Sequence, residues 1–405
     1  MNCGLLGRYL THSYSPQIHN QLGSYNYGIF EVEPDEFGNF LQKKNFDGLN
    51  VTIPYKKEVL PYCDALSPQA QQLGAVNTLV KTADDNLIGH NTDYYGFAAM
   101  LSASGLTVTG KKVLVLGSGG ASATVTAVLK ENNANVIIIS RSGVNHYGNL
   151  NLHRDAAVIV NCTPVGMYPH NGVSPVDLSL FPNLEGVLDL IYNPARTALL
   201  LETEKRGIVA QNGLYMLVAQ AKESAEWFTG SKIPDSRISE IYADLKADME
   251  NIVLIGMPGC GKSTVGAMLA NMLGREFVDT DSLIVERAGK SIPEIFASVG
   301  EEGFRKLEAE VLSEVGKCSN LVIATGGGCV TRPENYPLLH QNSKIIWLRR
   351  DISLLPTDGR PLSQSQHLEE MYKTRAPLYE AFSDMIVDND LTPETTVNYI
   401  FGGLK

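Results

Sequence analysis

No stretch of the 405-residue chain keeps an uninterrupted apolar run of the roughly 18 residues that a membrane-crossing helix requires, so the sequence predicts no spanning segment. The first residues, Met1 to Gly7, lack a basic region followed by a long apolar stretch, and no signal peptide is expected. No C-x-x-C pair occurs. The six cysteines, Cys3, Cys63, Cys162, Cys260, Cys318 and Cys329, are scattered, which suits reduced thiols in a cytoplasmic protein better than disulfides or a zinc site. A basic surplus is also missing: 33 Lys and Arg stand against 44 Asp and Glu, a net charge of -11, which argues against a nucleic-acid-binding surface while leaving room for a local basic pocket. There is no internal repeat and no low-complexity tract, and no oligomeric state is read from the sequence. What remains is a composition of 44% hydrophobic and 19% charged residues, ordinary for a core-forming chain of two to three domains.

The densest signal is Gly256-Met257-Pro258-Gly259-Cys260-Gly261-Lys262-Ser263-Thr264, between the apolar run Ile252 to Ile255 and the run Val265 to Ala270. Strand, glycine-rich loop and helix in that order form a phosphate cradle. Glycines let backbone N–H groups converge on phosphate oxygens, and the helix N-terminus adds the positive end of its dipole. Gly259, Cys260, Gly261 and Thr264 belong to the cradle. Lys262 is expected at the β/γ-phosphates of ATP, and the Ser263 hydroxyl on Mg²⁺. Such a strand usually opens a nucleotide-binding domain, so the residues before it must serve another purpose.

Those residues begin with an apolar strand candidate at Cys3 to Leu6, which leads to Ser13-Tyr14-Ser15-Pro16. Ser15 before Pro16 reads as a helix start, with the hydroxyl at the N-cap. Ser13 lies outside that helix. The two hydroxyls either serve capping alone or bind a carboxylate. The strand Leu49 to Ile53 stops at Pro54, which puts Lys56 at a strand's carboxyl end, where α/β sheets place their ligands. A lone lysine there is equally a solvated surface group. Asn77 offers an amide at a strand start, and Asp93 a carboxylate at a helix start, where capping and chemistry can coexist.

These stretches together resemble shikimate dehydrogenase, through Ser13 to Pro16 with His19-Asn20, Asn50 to Lys56, Gly74 to Thr78, and Asn91-Thr92-Asp93 with Gly96. The resemblance implies that Lys56 and Asp93 form the catalytic pair and that Ser13, Ser15, Thr52, Asn77 and Asp93 contact substrate. The chemistry is coherent. A ketone reduced by hydride leaves an alkoxide-like oxygen that a positioned lysine can protonate, while a carboxylate orients the lysine and binds a neighbouring hydroxyl.

Next, the buried-strand pattern Lys112 to Leu116 runs into Gly117-Ser118-Gly119-Gly120-Ala121-Ser122 and a helix expected from Ala123 to Asn132. This is a G-x-G-x-x-small dinucleotide loop. The following strand, Asn135 to Ile139, ends in Ser140-Arg141. An NAD enzyme carries an acidic residue there. Arg141 suits a 2′-phosphate, so NADP is the expected cofactor. The resemblance continues through Asn161 to Met167, Asp189 to Pro194 with Thr197, and Asn212 to Leu217 with Gln220. It implies that Thr163, Tyr192, Gly213 and Met216 line the nicotinamide side and that Tyr192 and Gln220 approach substrate. Core packing also explains Met216. Ser142 to Asn149 has little helical periodicity, and one helix of the doubly wound sheet is expected to be trimmed to a loop. The chain is helical after Gln220 and reaches the next domain through a tether read as Asp248-Met249-Glu250.

Beyond the phosphate loop, Phe277 to Asp281 reads as a strand ending in two carboxylates, Glu301 to Glu308 as a helix start, and Leu321 to Gly328 as a strand into a glycine turn. Arg360 lies in a polar loop and Arg375 near a helix end. This region resembles shikimate kinase. The resemblance implies that Asp279 supports the Mg²⁺ shell, that Asp281 holds the acceptor hydroxyl, that Arg305 and Arg375 clamp a carboxylate, that the turn at Gly327 contacts the acceptor, and that Arg360 belongs to a compact lid. Arginine forks fit carboxylates bidentately. An i, i+3 pair between Arg305 and Glu308 is expected as well.

The expected architecture is α/β throughout. A substrate domain over 1–102, joined by helices of 220–247, precedes a Rossmann-like NADP domain over 103–219 and a parallel-sheet P-loop kinase domain over 251–405. The expected function is reduction of 3-dehydroshikimate to shikimate followed by phosphorylation of shikimate. Two alternatives stand beside it: a quinate dehydrogenase using NAD joined to a small-molecule kinase, and a metabolite sensor that binds without turnover. Cys260, beside the phosphates, raises the further expectation of an oxidation-sensitive kinase half.

Overall fold

The computed structural model describes residues 1–10, 13–355 and 365–404. They form two compact units, one of Met1–Val165, Ser174–Tyr192 and Glu202–Leu245, the other of Gly166–Val173, Asn193–Leu201 and Lys246–Lys405.

The first unit holds two sheets. Strands β1 (Asn2–Gly7), β2 (Asn26–Glu31), β3 (Gly48–Val51), β4 (Ala65–Leu66), β5 (Thr78–Lys81) and β6 (Leu87–His90) form a six-stranded sheet in the order β2-β1-β3-β5-β6-β4. β1 runs parallel to β2 and β3, whereas β5 is antiparallel to both β3 and β6. Register pairs Asn50 with Thr78 and Thr78 with His90. The end of β3, the start of β5 and the end of β6 therefore share one edge, and the segments carrying Lys56, Asn77 and Asp93 leave from it. β1 and β3 are buried along almost their whole length, as a central pair covered on both faces should be.

The second sheet is wholly parallel. β7 (Lys112–Leu116), β8 (Asn135–Ile139), β9 (Val158–Asn161), β10 (Gly186–Asp189) and β11 (Val209–Gln211) lie in the order β11-β10-β9-β7-β8. β9 and β10 are buried at every position. Two helices, Asp93–Ser104 and Leu214–Thr229, pack closely. Gly96 makes that approach possible: a Cβ there would stand 2.8 Å from the Met216 carbonyl oxygen.

The second unit is built on a parallel sheet of β12 (Asn251–Ile255), β13 (Glu276–Asp279), β14 (Leu321–Ala324), β15 (Ser343–Arg349) and β16 (Met385–Asp388), in the order β13-β14-β12-β15-β16. Val253, Leu254, Val322, Ile323, Ile345 and Ile346 form its dry centre. Within Ile292–Val315, Gly300 takes a φ of 69° and breaks the helix, so Glu301 to Glu308 begins a fresh segment.

Several local expectations shift. The cofactor-loop helix starts at Gly120, not Ala123. The first helix, Ser15–His19, has Tyr14 at its N-cap and no side-chain cap, so the Ser15 hydroxyl does not cap it. Between β8 and β9 a 3₁₀ helix, Tyr147–His153, stands where a loop was expected; the His146 imidazole accepts from the Gly148 N–H and the Asn149 side chain accepts from the His146 N–H. A 3₁₀ turn needs no 3.6-residue periodicity, which is why pattern reading misses it. The tether is shorter than Asp248 to Glu250, because the helix Ser236–Met249 includes its first two residues.

Candidate active sites

In the first unit the Lys56 ammonium lies 2.6 Å from Asp93 Oδ2. The other carboxylate oxygen accepts from Asn77 Nδ2 at 2.9 Å. Asp93 opens the 93–104 helix, where its charge also meets the dipole's positive end. Asn77 is itself locked, since its Oδ1 accepts from the Thr92 N–H at 2.7 Å. Asp93 is thus held at both oxygens, by Lys56 and by Asn77, groups that leave from neighbouring strand ends.

Behind this pair lies a buried hydroxyl and amide network. Asn50 Nδ2 donates to Ser224 Oγ at 2.7 Å and to Thr78 Oγ1 at 3.1 Å, and its Oδ1 accepts from the Tyr27 hydroxyl at 2.7 Å. Thr92 Oγ1 lies 3.0 Å from Ser224 Oγ and 3.5 Å from Gln220 Oε1. Ser13 and Ser15 are brought together, with their hydroxyl oxygens 3.1 Å apart and Ser13 Oγ accepting the Ser15 N–H at 3.2 Å. Tyr192 meets Tyr14 edge to face at 6.2 Å, and burial pushes its hydroxyl pKa up. Thr52 sits just past β3 and stays half-buried.

The carboxyl edge of the second sheet collects the remaining candidates. Gly117 has a φ of 102°, and a Cβ on it would meet Thr163 Cγ2 at 3.1 Å. Cβ atoms built on Gly119 and Gly120 meet nothing within 4 Å, and Ala121 beside them is exposed. That open ground at a helix N-terminus fits a pyrophosphate. Arg141 is exposed just after β8. Thr163 is pinned by Asn161, whose Oδ1 accepts its N–H at 3.0 Å and its hydroxyl at 2.7 Å, while Asn161 Nδ2 donates to Asp189 at 3.0 Å. Gly213 admits no side chain, because a Cβ would stand 2.1 Å from the Leu190 carbonyl oxygen. Met216 packs on the core cluster of this sheet.

In the second unit the loop Gly256 to Gly261 carries left-handed backbone at Gly259 (φ 83°) and Gly261 (φ 95°), which favours glycine at both. Lys262 donates to the Gly256 and Met257 carbonyls at 2.9 and 3.0 Å. The Ser263 hydroxyl donates to Asp279 Oδ2 at 2.6 Å, and Asp279 Oδ1 caps the next helix through the Asp281 and Ser282 N–H groups. Thr264 is exposed in the first turn after the loop. Cys260 is fully buried, and its sulfur faces the Gly256 backbone. A thiol so enclosed is inaccessible to oxidants, which removes the premise of an oxidation-sensitive cradle.

The three glycines after β14 each admit a different neighbour. A Cβ on Gly326 would stand 2.7 Å from Asp281 Oδ1 and 2.9 Å from Glu308 Oε1, one on Gly327 2.7 Å from Pro258, and one on Gly328 2.2 Å from an Arg305 nitrogen. Arg305 donates to Glu308 at 2.8 Å, the expected i, i+3 pair, and both are buried. Burial holds the Glu308 carboxyl above its usual range even against that guanidinium. Among the described residues Arg305 Nε and Glu308 Oε1 have no partner. Arg375 donates to the Gly327 carbonyl at 3.0 Å, and the Tyr379 hydroxyl donates to the same oxygen at 2.5 Å. Arg360 lies outside the described residues.

Sequence reading missed several residues. Ser224 and Tyr27 complete the Asn50 network from distant segments. Tyr379 holds the glycine turn beside Arg375. Asn389 donates to the Cys260 carbonyl at 2.6 Å and steadies the phosphate loop from the far end of the chain. Arg350, half-buried beside Gly261, has a buried Nε without a partner among the described residues. None of these belongs to a contiguous motif.

Comparison with known proteins finds relatives for both parts of the chain. The family model "Shikimate dehydrogenase substrate binding domain" matches residues 5–79, and the model "Shikimate kinase" matches 258–405. A shikimate dehydrogenase (NADP(+)) of Clostridium perfringens is 34% identical over 265 residues, covering 60% of this chain and 97% of that protein. Among solved structures, a chorismate mutase/shikimate 5-dehydrogenase fusion protein from Clostridium acetobutylicum superposes with a TM-score of 0.58 at 37% identity, over 60% of this chain and 96% of that one. A shikimate 5-dehydrogenase from Thermus thermophilus, in complex with NADP(H) and shikimate, gives 0.55 at 31% identity, over 60% and 98%.

Proposed function

The chain belongs to the shikimate dehydrogenase family and continues into a shikimate kinase domain, and from that premise we propose that it is one bifunctional enzyme: it reduces 3-dehydroshikimate with NADPH and phosphorylates the resulting shikimate at its 3-hydroxyl with ATP. The observation that carries the first half is the Lys56–Asp93 pair at 2.6 Å, oriented by Asn77.

In the reduction, Lys56 Nζ gives a proton to the oxygen formed at the reduced carbonyl. Asp93 fixes that ammonium and accepts a hydrogen bond from a neighbouring substrate hydroxyl. The Ser13 and Ser15 hydroxyls take the substrate carboxylate, and Thr52, Asn77, Tyr192 and Gln220 complete the contacts. Gly117, Gly119, Gly120 and Ala121 fit the pyrophosphate of NADPH, Arg141 its 2′-phosphate, and Thr163, Gly213 and Met216 its nicotinamide side, where the group supplies the hydride.

In the phosphorylation, Arg305 and Arg375 hold the shikimate carboxylate. The Arg305 Nε–H, unpartnered among the described residues, supports that role, because a guanidinium edge left over from Glu308 suits a second carboxylate. Asp281 orients the accepting hydroxyl and takes its proton, with Gly327 beside it. Gly259 to Thr264 fit the phosphates of ATP, which supplies the phosphoryl group; Ser263 and Asp279 would hold Mg²⁺. Positioning and charge neutralisation are most of what this reaction asks of a protein. We place both reactions in the cytoplasm, a reading supported by six unpaired thiols; no helix among the described residues is long and apolar enough to cross a membrane.

A coupled assay tests the whole proposal. NADPH consumption on 3-dehydroshikimate is expected, followed by ADP release when ATP is added. Lys56→Ala should lose reduction by about 10²–10⁴-fold and keep phosphorylation. Loss of both activities in a folded Lys56→Ala protein would refute the two-site reading.

A further inference from the structure

A cleft of about 250 Å³ in the first unit is used by neither reaction. It lies beside the 93–104 and 214–229 helices. On the second of these, Gln220 and Ser224 face the network around Thr92, whereas Glu223 and Trp227, one turn apart on the adjoining stripe, line the cleft. Its floor is polar and buried. His90 is 6% exposed and Asn91 7% exposed, yet His90 Nδ1 and Asn91 Oδ1 have no partner among the described residues. Asn91 spends its Nδ2 on the Ala75 carbonyl at 3.0 Å, so the atom left over on this lining residue is an acceptor. Buried polar atoms left unpaired are rare and costly, and two of them on residues that line one cavity point to a partner that comes from outside.

The walls say what kind of partner. The His90 ring stacks on Trp227 at a centroid distance of 3.8 Å, and Tyr94 and Ala98 add further flat and apolar surface. Glu223 places a carboxylate at the rim. The neighbouring Lys222 is committed to Glu226 and Asp235, each at 2.8 Å, and among the described residues no ion pair engages Glu223. The Trp227 side chain hydrogen-bonds Glu223 and the charges of Lys222 and Lys232 reach it, but burial and the Glu226 charge outweigh them and hold its carboxyl above the usual range. A carboxylate in that negative surrounding and the aromatic faces together favour a cation over an anion, since an ammonium ion gains from both.

We propose that this cleft is a binding site for a small organic ammonium ion with an aromatic or apolar body, the ammonium on Glu223 and Asn91 and the body against Trp227 and Tyr94. Asn91 lies two residues before Asp93, and Glu223 shares a helix with Gln220. Occupancy therefore bears on the elements that carry the reduction site.

The experiment titrates the full chain with phenethylammonium and with 2-phenylethanol, its neutral counterpart, by calorimetry and by tryptophan fluorescence. Saturable binding of the ammonium is expected, with the alcohol at least about tenfold weaker, about the loss that one charge-assisted contact accounts for. Glu223→Gln should weaken the ammonium by a similar factor while retaining both catalytic activities, which shows that it folds. Ala98→Trp should fill the cleft and abolish binding, and Trp227→Phe should remove the fluorescence response while calorimetric binding persists. No binding at millimolar ammonium, equal binding of amine and alcohol, or unchanged affinity in Glu223→Gln would each overturn the proposal and leave the cleft as a solvated surface feature.

Discussion

Replacing Gly328 by Ala should disable shikimate binding in the kinase half without touching the other reaction. The backbone is not the obstacle: Gly328 has φ -103° and ψ -1°, which alanine adopts freely. The obstacle is Arg305. The new Cβ would stand 2.2, 2.5 and 2.6 Å from its Nη2, Nη1 and Cζ, so the guanidinium must retreat by about 1.2 Å to reach the 3.4 Å at which ordinary contact begins. Arg305 is 7% exposed and Glu308 1% exposed, so there is little room for that movement. Two costs follow. A displacement of about 1 Å at a binding group is worth roughly 10²-fold in activity. If the guanidinium also leaves Glu308, an unpaired buried carboxylate costs the domain about 3–5 kcal/mol. The assay is the initial rate of ADP release against shikimate at saturating ATP. KM for shikimate should rise about 10²-fold, KM for ATP should change little, and NADPH-dependent reduction should match the parent protein. Parent-like shikimate kinetics in Gly328→Ala would show that Arg305 does not hold the substrate.

Three further outcomes are expected. Gly120→Ala meets nothing within 4 Å in the protein, so thermal stability should hold while KM for NADPH rises about tenfold or more; unchanged kinetics would place the pyrophosphate elsewhere. Burial lowers the His19 imidazole to about 3 and His90 to about 4, below the 6.5 of a free histidine. Their neutral forms therefore stabilise the fold fully above pH 6.5, and that stability is lost as pH falls toward 4, by up to about 1.4 kcal/mol per pH unit for each group. Calorimetry across that window should show a shallower fall for His19→Gln, and an identical slope would refute the assignment. Mild peroxide should leave phosphorylation unchanged over times that oxidise the exposed Cys318, because Cys260 is fully buried; inactivation prevented by Cys260→Ala would contradict this.

The sequence by itself determined the parts whose chemistry is contiguous. A phosphate loop needs its glycines, lysine and hydroxyl within one strand–turn–helix, so Gly256 to Thr264 was legible as a line of text. The same holds for Gly117 to Ser122, and the strand–loop–helix order at both loops is what made the α/β class legible. Lys56 and Asp93 were legible as candidates through resemblance, but their 2.6 Å approach is a property of the sheet. It exists because β5 runs antiparallel to its neighbours and brings the ends of β3 and β6 to one edge. Only the tertiary structure decided the supporting contacts. Asn50 and Ser224 are 174 positions apart, and Cys260 and Asn389 are 129 apart. It also decided why Gly326, Gly327 and Gly328 must all be small: carboxylates, a proline and a guanidinium press on them in turn. The physical reason is common to all of these. Periodicity and turn chemistry act over a few residues, whereas close packing and buried hydrogen bonding act between surfaces that meet only after the chain has folded.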